Sequence, residues 1–113
     1  MTLFTQEQRV ALIANGLAST LDEDTDHWPV IKLFTPDAGA TWLLTEIDET
    51  AGIAFGLCDL GMGFPELGYV TLLELEAVRG PLGLPIESDA AFKADRPISA
   101  YAKAARLAGR IVT

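Results

Sequence analysis

The chain has 113 residues, half of them apolar, and a formal net charge of −8, with a mean hydropathy of +0.28. That length and apolar content suit one domain able to bury its own core without disulfides or metal staples. The single cysteine, Cys58, excludes an internal disulfide and a structural zinc site of its own making, and points to a reducing cytoplasm.

The amino-terminal run Met1 to Glu7 has no basic segment and an early acid, so it predicts neither signal nor transit peptide. No uncharged apolar stretch approaches the roughly 20 residues of a membrane span, and no membrane contact is expected. Charge is divided unevenly. Residues 1–78 hold 13 acids against Arg9 and Lys32, a balance of −11, whereas residues 79–113 hold three acids against six bases, a balance of +3. An acidic first part repels phosphate backbones and favours basic partners.

Thr5 and Gln8 stand at capping-box positions before a helix over about Gln6 to Ala18. Its apolar stripe, Val10, Ile13, Ala14, Leu17 and Leu21, is predicted to lie on a sheet, leaving Glu7, Arg9 and Asn15 nearer water. The acidic run Asp22 to His27 reads as a solvated loop. Pro29 and Pro36 then fence Val30 to Thr35 as a strand. Thr41 to Ile47 and Ile53 to Leu60 read as two further strands joined by the turn Asp48 to Gly52. After the breaker cluster Gly61 to Pro65, Gly68 to Thr71 predicts a short fourth strand. Thr71 and Glu74 cap a helix over about Leu72 to Val78, with Leu72, Leu75 and Val78 inward and a stop at Gly80-Pro81. Gly83 to Glu87 reads as extended, and an alanine-rich helix over about Ser99 to Leu107 closes the chain. The expected fold is α+β: a small antiparallel sheet of three to four strands covered by the first helix.

Motifs that carry chemistry fail on inspection. Asp22, Asp24 and Asp26 alternate as in a calcium loop, but His27 takes the glycine position and Leu33 that of the closing glutamate. Gly61-Met62-Gly63-Phe64-Pro65-Glu66 begins like a dinucleotide fingerprint and puts Glu66 at the third glycine. No P-loop or nucleophile elbow is present, and no cofactor is expected. His27, the single histidine, has no acid or hydroxyl partner indicated by spacing, and Cys58 reads as a buried, inert thiol.

Polar residues concentrate between Glu66 and Asp89. Glu66, Tyr69, Glu76, Arg79, Glu87 and Asp89 form the candidate partner-binding set. Glu66, Tyr69, Glu87 and Asp89 are also the groups from which a carboxylate-based or metal-dependent hydrolase would be built, although Glu76 and Arg79 equally suit an exposed helical ion pair. A second candidate is an acidic face of Asp22, Glu23, Asp24, Asp26, Asp48 and Glu49. Lys103, Arg106 and Arg110 make a basic stripe opposite Ala102, Ala105 and Ala108 on the last helix, too few charges for direct nucleic-acid binding on so acidic a chain.

The stretch from Gly68 to Glu87 reads Gly-Tyr-x-x-Leu-x-Glu-Leu-Glu-x-x-Arg-Gly-Pro-x-Gly-Leu-Pro-Ile-Glu. With Lys32 to Pro36, Thr41-Trp42 and Phe55 to Leu57, it resembles a family of small uncharacterised proteins. These are a bacterial domain of unknown function found on plasmids, integrated elements and phages. The resemblance covers about residues 1–95 and leaves the final helix outside. It implies a setting among genes for element maintenance, transfer or defence evasion, and supplies no activity or catalytic residues. The expectation is an accessory protein acting by protein contact as a monomer or homodimer, in its narrower form an acidic decoy for a nucleic-acid-binding protein. The alternative is the small hydrolase.

Overall fold

A computed structural model describes residues 3–113. Helix α1 (Gln6–Leu21) leads into β1 (Ile31–Phe34), β2 (Thr41–Asp48), β3 (Ile53–Asp59) and β4 (Glu66–Thr71). Helix α2 (Leu72–Ala77), β5 (Glu87–Ser88) and α3 (Ile98–Ala108) follow. The strands make one antiparallel sheet in the order β4-β3-β2-β1-β5. The sheet has five strands instead of three to four: Glu87 and Ser88 pair with Phe34 and Leu33, two residues that no alternation pattern can reveal.

The sheet is covered on both faces. Against one lie α1 and α2, with Leu12, Ile31, Leu33, Trp42, Leu44, Ile47, Ala54, Leu75 and Ile86 forming the core. Against the other lies α3, whose Ile98, Tyr101, Ala102 and Ala105 pack with Leu43, Leu57 and Ile111. The last helix is therefore part of the packed body. Pro97 gives no side-chain cap to α3, so Asp26, 73 residues upstream, supplies it: its carboxylate accepts from the Ser99 amide and hydroxyl. The His27 carbonyl accepts from the Ile98 amide. Beyond α3, buried Asp59 accepts from the amides of Ile111 and Gly61.

Helix α1 begins with the predicted capping box between Thr5 and Gln8, but turns a different face inward. Leu12 is fully buried, and of the predicted stripe Ile13 packs against the core, whereas Val10, Leu17 and Leu21 are 56%, 64% and 90% exposed. The seam runs through Leu12, Asn15, Gly16 and Ser19, the i, i+3, i+4, i+7 row one step round from the apolar stripe. The backbone of β2 explains the rotation. β1 pairs with β2 only as far as Leu44, and a bulge in the β2–β3 pairing lies between Leu44 and Glu46; among the described residues the rest of β2 has no strand neighbour on the β1 side. Helix α1 takes that place. Asn15 donates to the Thr45 carbonyl at 2.8 Å, and Gly16 comes so close that a Cβ there would stand 2.5 Å from the Ile47 carbonyl oxygen. Only small and hydrogen-bonding residues serve such an approach.

Helix α2 matches expectation, capped by Thr71 with Leu75 buried. Its stop is not a left-handed glycine, since Val78 ends it in an extended conformation. Gly80 instead leaves room for Asp37, which a Cβ would strike while its carboxylate accepts from the Leu82 amide.

Candidate functional site

Cross-strand register defines the site. Residues opposed in an antiparallel pair share a face, as do alternate residues along a strand. Leu43, Leu57 and Leu67 form one row, and Glu46, Phe55 and Tyr69 form the next row on the same face. Helix α3 covers Leu43 and Leu57. The Glu46–Phe55–Tyr69 row instead lines a cavity of about 340 Å³, closed on its other side by the last turns of α1 and the loop after it, through Ser19, Thr20, Glu23 and Thr25. Asp48 also lines it. The cavity thus has an aromatic floor and three carboxylates, with no basic side chain among its lining.

The Phe55 and Tyr69 rings meet edge to face, 5.0 Å between centroids, and Tyr69 remains 72% exposed. Glu46 is held in place by Ser19, whose hydroxyl donates to Oε1 at 3.1 Å, while His27 Nε2 lies 2.9 Å from the same hydroxyl oxygen. A hydroxyl has one proton. With that proton on Glu46, the imidazole must present Nε2–H to Ser19. The order is therefore carboxylate, hydroxyl, imidazole. In a nucleophilic triad the imidazole sits in the middle and removes the hydroxyl proton; in this order the bridge positions Glu46.

The residues singled out in the sequence fall in several places. Glu66 and Tyr69 are on β4, Glu87 on β5 and Asp89 just after it, at opposite edges of the sheet. Four strand spacings, roughly 19 Å, separate them. Asp89 pairs with Lys32 at 3.7 Å. Glu76 and Arg79 stay by α2, but Arg79 donates to the Glu76 and Val78 carbonyls and not to a carboxylate, closing the helix C-terminus. Of the acidic set, Glu23 and Asp48 line the cavity. Asp22 accepts from the Asp24 amide beside them. Asp26 is occupied with α3, and Glu49 pairs with Arg9.

Ser19, Glu46 and Phe55 are the cavity residues that sequence reasoning missed. The available signal was Gly16: a glycine inside a helical pattern costs about 1 kcal/mol against alanine, a cost that a close approach to Ile47 explains here, and Ser19 lies one turn further on the same face. Cys58 is half-buried, and burial pushes its thiol up to about 11, consistent with an inert thiol. Lys103 and Arg106 are exposed on α3, and Arg110 is exposed just beyond its end. Among the described residues, no helix is long and apolar enough to cross a membrane.

Comparison with known proteins found no match among curated proteins and none among solved structures. A family model does match, over residues 3–112, taking in α3, which the resemblance read from the residues left outside. The chain belongs to the family described as protein of unknown function, DUF2958.

Proposed function

We propose that this chain is an accessory domain that acts by protein contact in the bacterial cytoplasm, in the life of a mobile element, and that its contact surface is the end of the molecule where α1 meets β2. The cavity carries this reading: a concave surface with an aromatic floor, three carboxylates and no basic lining residue is suited to a basic partner. Beside it, α1 presents Val10, Leu17 and Leu21 to solvent, an exposed apolar stripe of the kind that marks protein contacts. A nucleic-acid-binding protein is the partner class with the densest exposed arginine and lysine. Occupying such a protein as an acidic decoy is the narrower form of the proposal.

The competing reading, a small hydrolase, draws less support. Its proposed carboxylates stand on opposite sheet edges, and the Ser19 hydroxyl donates its hydrogen bond to Glu46.

Affinity capture of the tagged protein from bacterial cytoplasm, with and without nuclease, tests the proposal. The expected result is one nuclease-resistant partner in near-equal amount, released as salt rises. Recovery of the bait alone, or of nucleic acid alone, overturns it.

A further inference from the structure

We infer that the Glu46–Phe55–Tyr69 cavity is a receptor for a guanidinium group, presented as an arginine side chain by the partner. The inference rests on the contact reading above and adds the chemistry of recognition. Three features converge. First, the floor is aromatic and largely open, since Tyr69 is 72% exposed and Phe55 meets it edge-on at 5.0 Å; a delocalised, weakly hydrated cation is the group that stacks best on such a surface. Second, Glu46 is preorganised. Ser19 fixes Oε1, with His27 behind it, and Oε2 accepts no hydrogen bond among the described residues, so one carboxylate oxygen is held ready beside the ring. Third, Glu23 and Asp48 close the rim, and neither makes an ion pair among the described residues. The field inside the cavity therefore favours a cation over any neutral or anionic group.

The volume of about 340 Å³ holds roughly ten waters at bulk density, room for one extended side chain of arginine's size and too little for a folded element. A guanidinium engages the ring with its face and the carboxylate with its edge simultaneously. An ammonium, compact and strongly hydrated, gives up that second contact. Arginine is the predicted preference.

The test uses the intact chain and N-acetyl-arginine-methylamide, its lysine counterpart and its citrulline counterpart, which replaces the cation with a neutral isostere. Binding is followed through chemical shifts of Phe55, Tyr69 and Glu46. The arginine probe is expected to move these signals at millimolar concentration, the lysine probe to bind more weakly and the citrulline probe not to bind. Tyr69→Leu and Glu46→Gln are each expected to weaken the arginine probe about tenfold, with Tyr69→Phe retaining it because the ring survives. Equal binding of citrulline, equal binding of lysine, or unchanged binding by Tyr69→Leu and Glu46→Gln would each overturn the inference. Failure of the two proposals is distinguishable. A partner captured equally by wild type and by Tyr69→Leu/Glu46→Gln, but lost from Glu23→Gln/Glu46→Gln/Asp48→Asn, removes the guanidinium site and leaves the contact reading. Arginine binding in the cavity, with no partner captured, leaves the site and removes the contact reading.

Discussion

Gly16→Ala perturbs the contact on which the site is built. The new Cβ would stand 2.5 Å from the Ile47 carbonyl oxygen, where ordinary contact begins at 3.4 Å, so α1 must retreat from β2 by about 0.9 Å. Overpacking against rigid backbone costs roughly 1–3 kcal/mol, and the Asn15–Thr45 hydrogen bond lengthens with it. Alanine returns up to about 1 kcal/mol through its higher helix propensity. The net expectation is a loss of about 1–2 kcal/mol, equivalent in a chain of this size to a fall in Tm of about 4–8 °C. Urea unfolding monitored by circular dichroism gives the free energy directly. Gly68→Ala is the control: a Cβ there meets nothing within 4 Å, and its stability is expected to stay within about 0.5 kcal/mol of wild type. A Gly16→Ala variant more stable than wild type by about 1 kcal/mol, as for an exposed helical glycine, would refute the placement of α1.

Other perturbations test neighbouring parts. Leu12→Ala should cost about 2–5 kcal/mol as a core truncation, whereas Leu17→Ala should stay within about 0.5 kcal/mol; the reverse order in urea melts would restore the apolar stripe to the core. Asp26→Ala removes the remote cap of α3 and should cost about 1 kcal/mol, with amide exchange quickening first in α3. Asp95 is held down to about 2, chiefly by its hydrogen bond from Arg96 and then by that from Tyr101. A depressed carboxylate contributes stability that is complete above its unfolded value and is lost as pH falls through the folded value. The contribution of Asp95 should therefore persist to pH 4 and vanish towards about pH 2, and a carboxyl carbon titration with its midpoint at 3.8 would contradict the contact.

What could be read from the residues was what local chemistry decides. Prolines 29 and 36 fenced β1, the turn after Asp48 placed the β2–β3 hairpin, and Thr5 and Thr71 capped α1 and α2 as their sequences require. What escaped depends on contacts distant in sequence. The face of α1 is set by the unpaired backbone of β2 beyond Leu44, a need that Asn15, Gly16 and Ser19 meet and a hydrophobic pattern ignores. β5 is two residues long, and α3 takes its cap from a residue 73 positions away. The cavity escaped for the same reason. The bulge after Leu44 sets Glu46 beside Phe55, and Ser19 reaches it only because α1 is rotated. Tyr69 was selected among the polar residues around α2, yet its place is settled by its β3 partner Phe55.

Capture from bacterial cytoplasm, run side by side with three baits, locates the partner on the molecule: wild type, Glu23→Gln/Glu46→Gln/Asp48→Asn at the cavity, and Lys103→Ala/Arg106→Ala on α3. The partner is expected to be retained by wild type and by the α3 variant and lost from the cavity variant, with all three baits folded by circular dichroism. A partner held equally by the cavity variant, or lost only from the α3 variant, would contradict it.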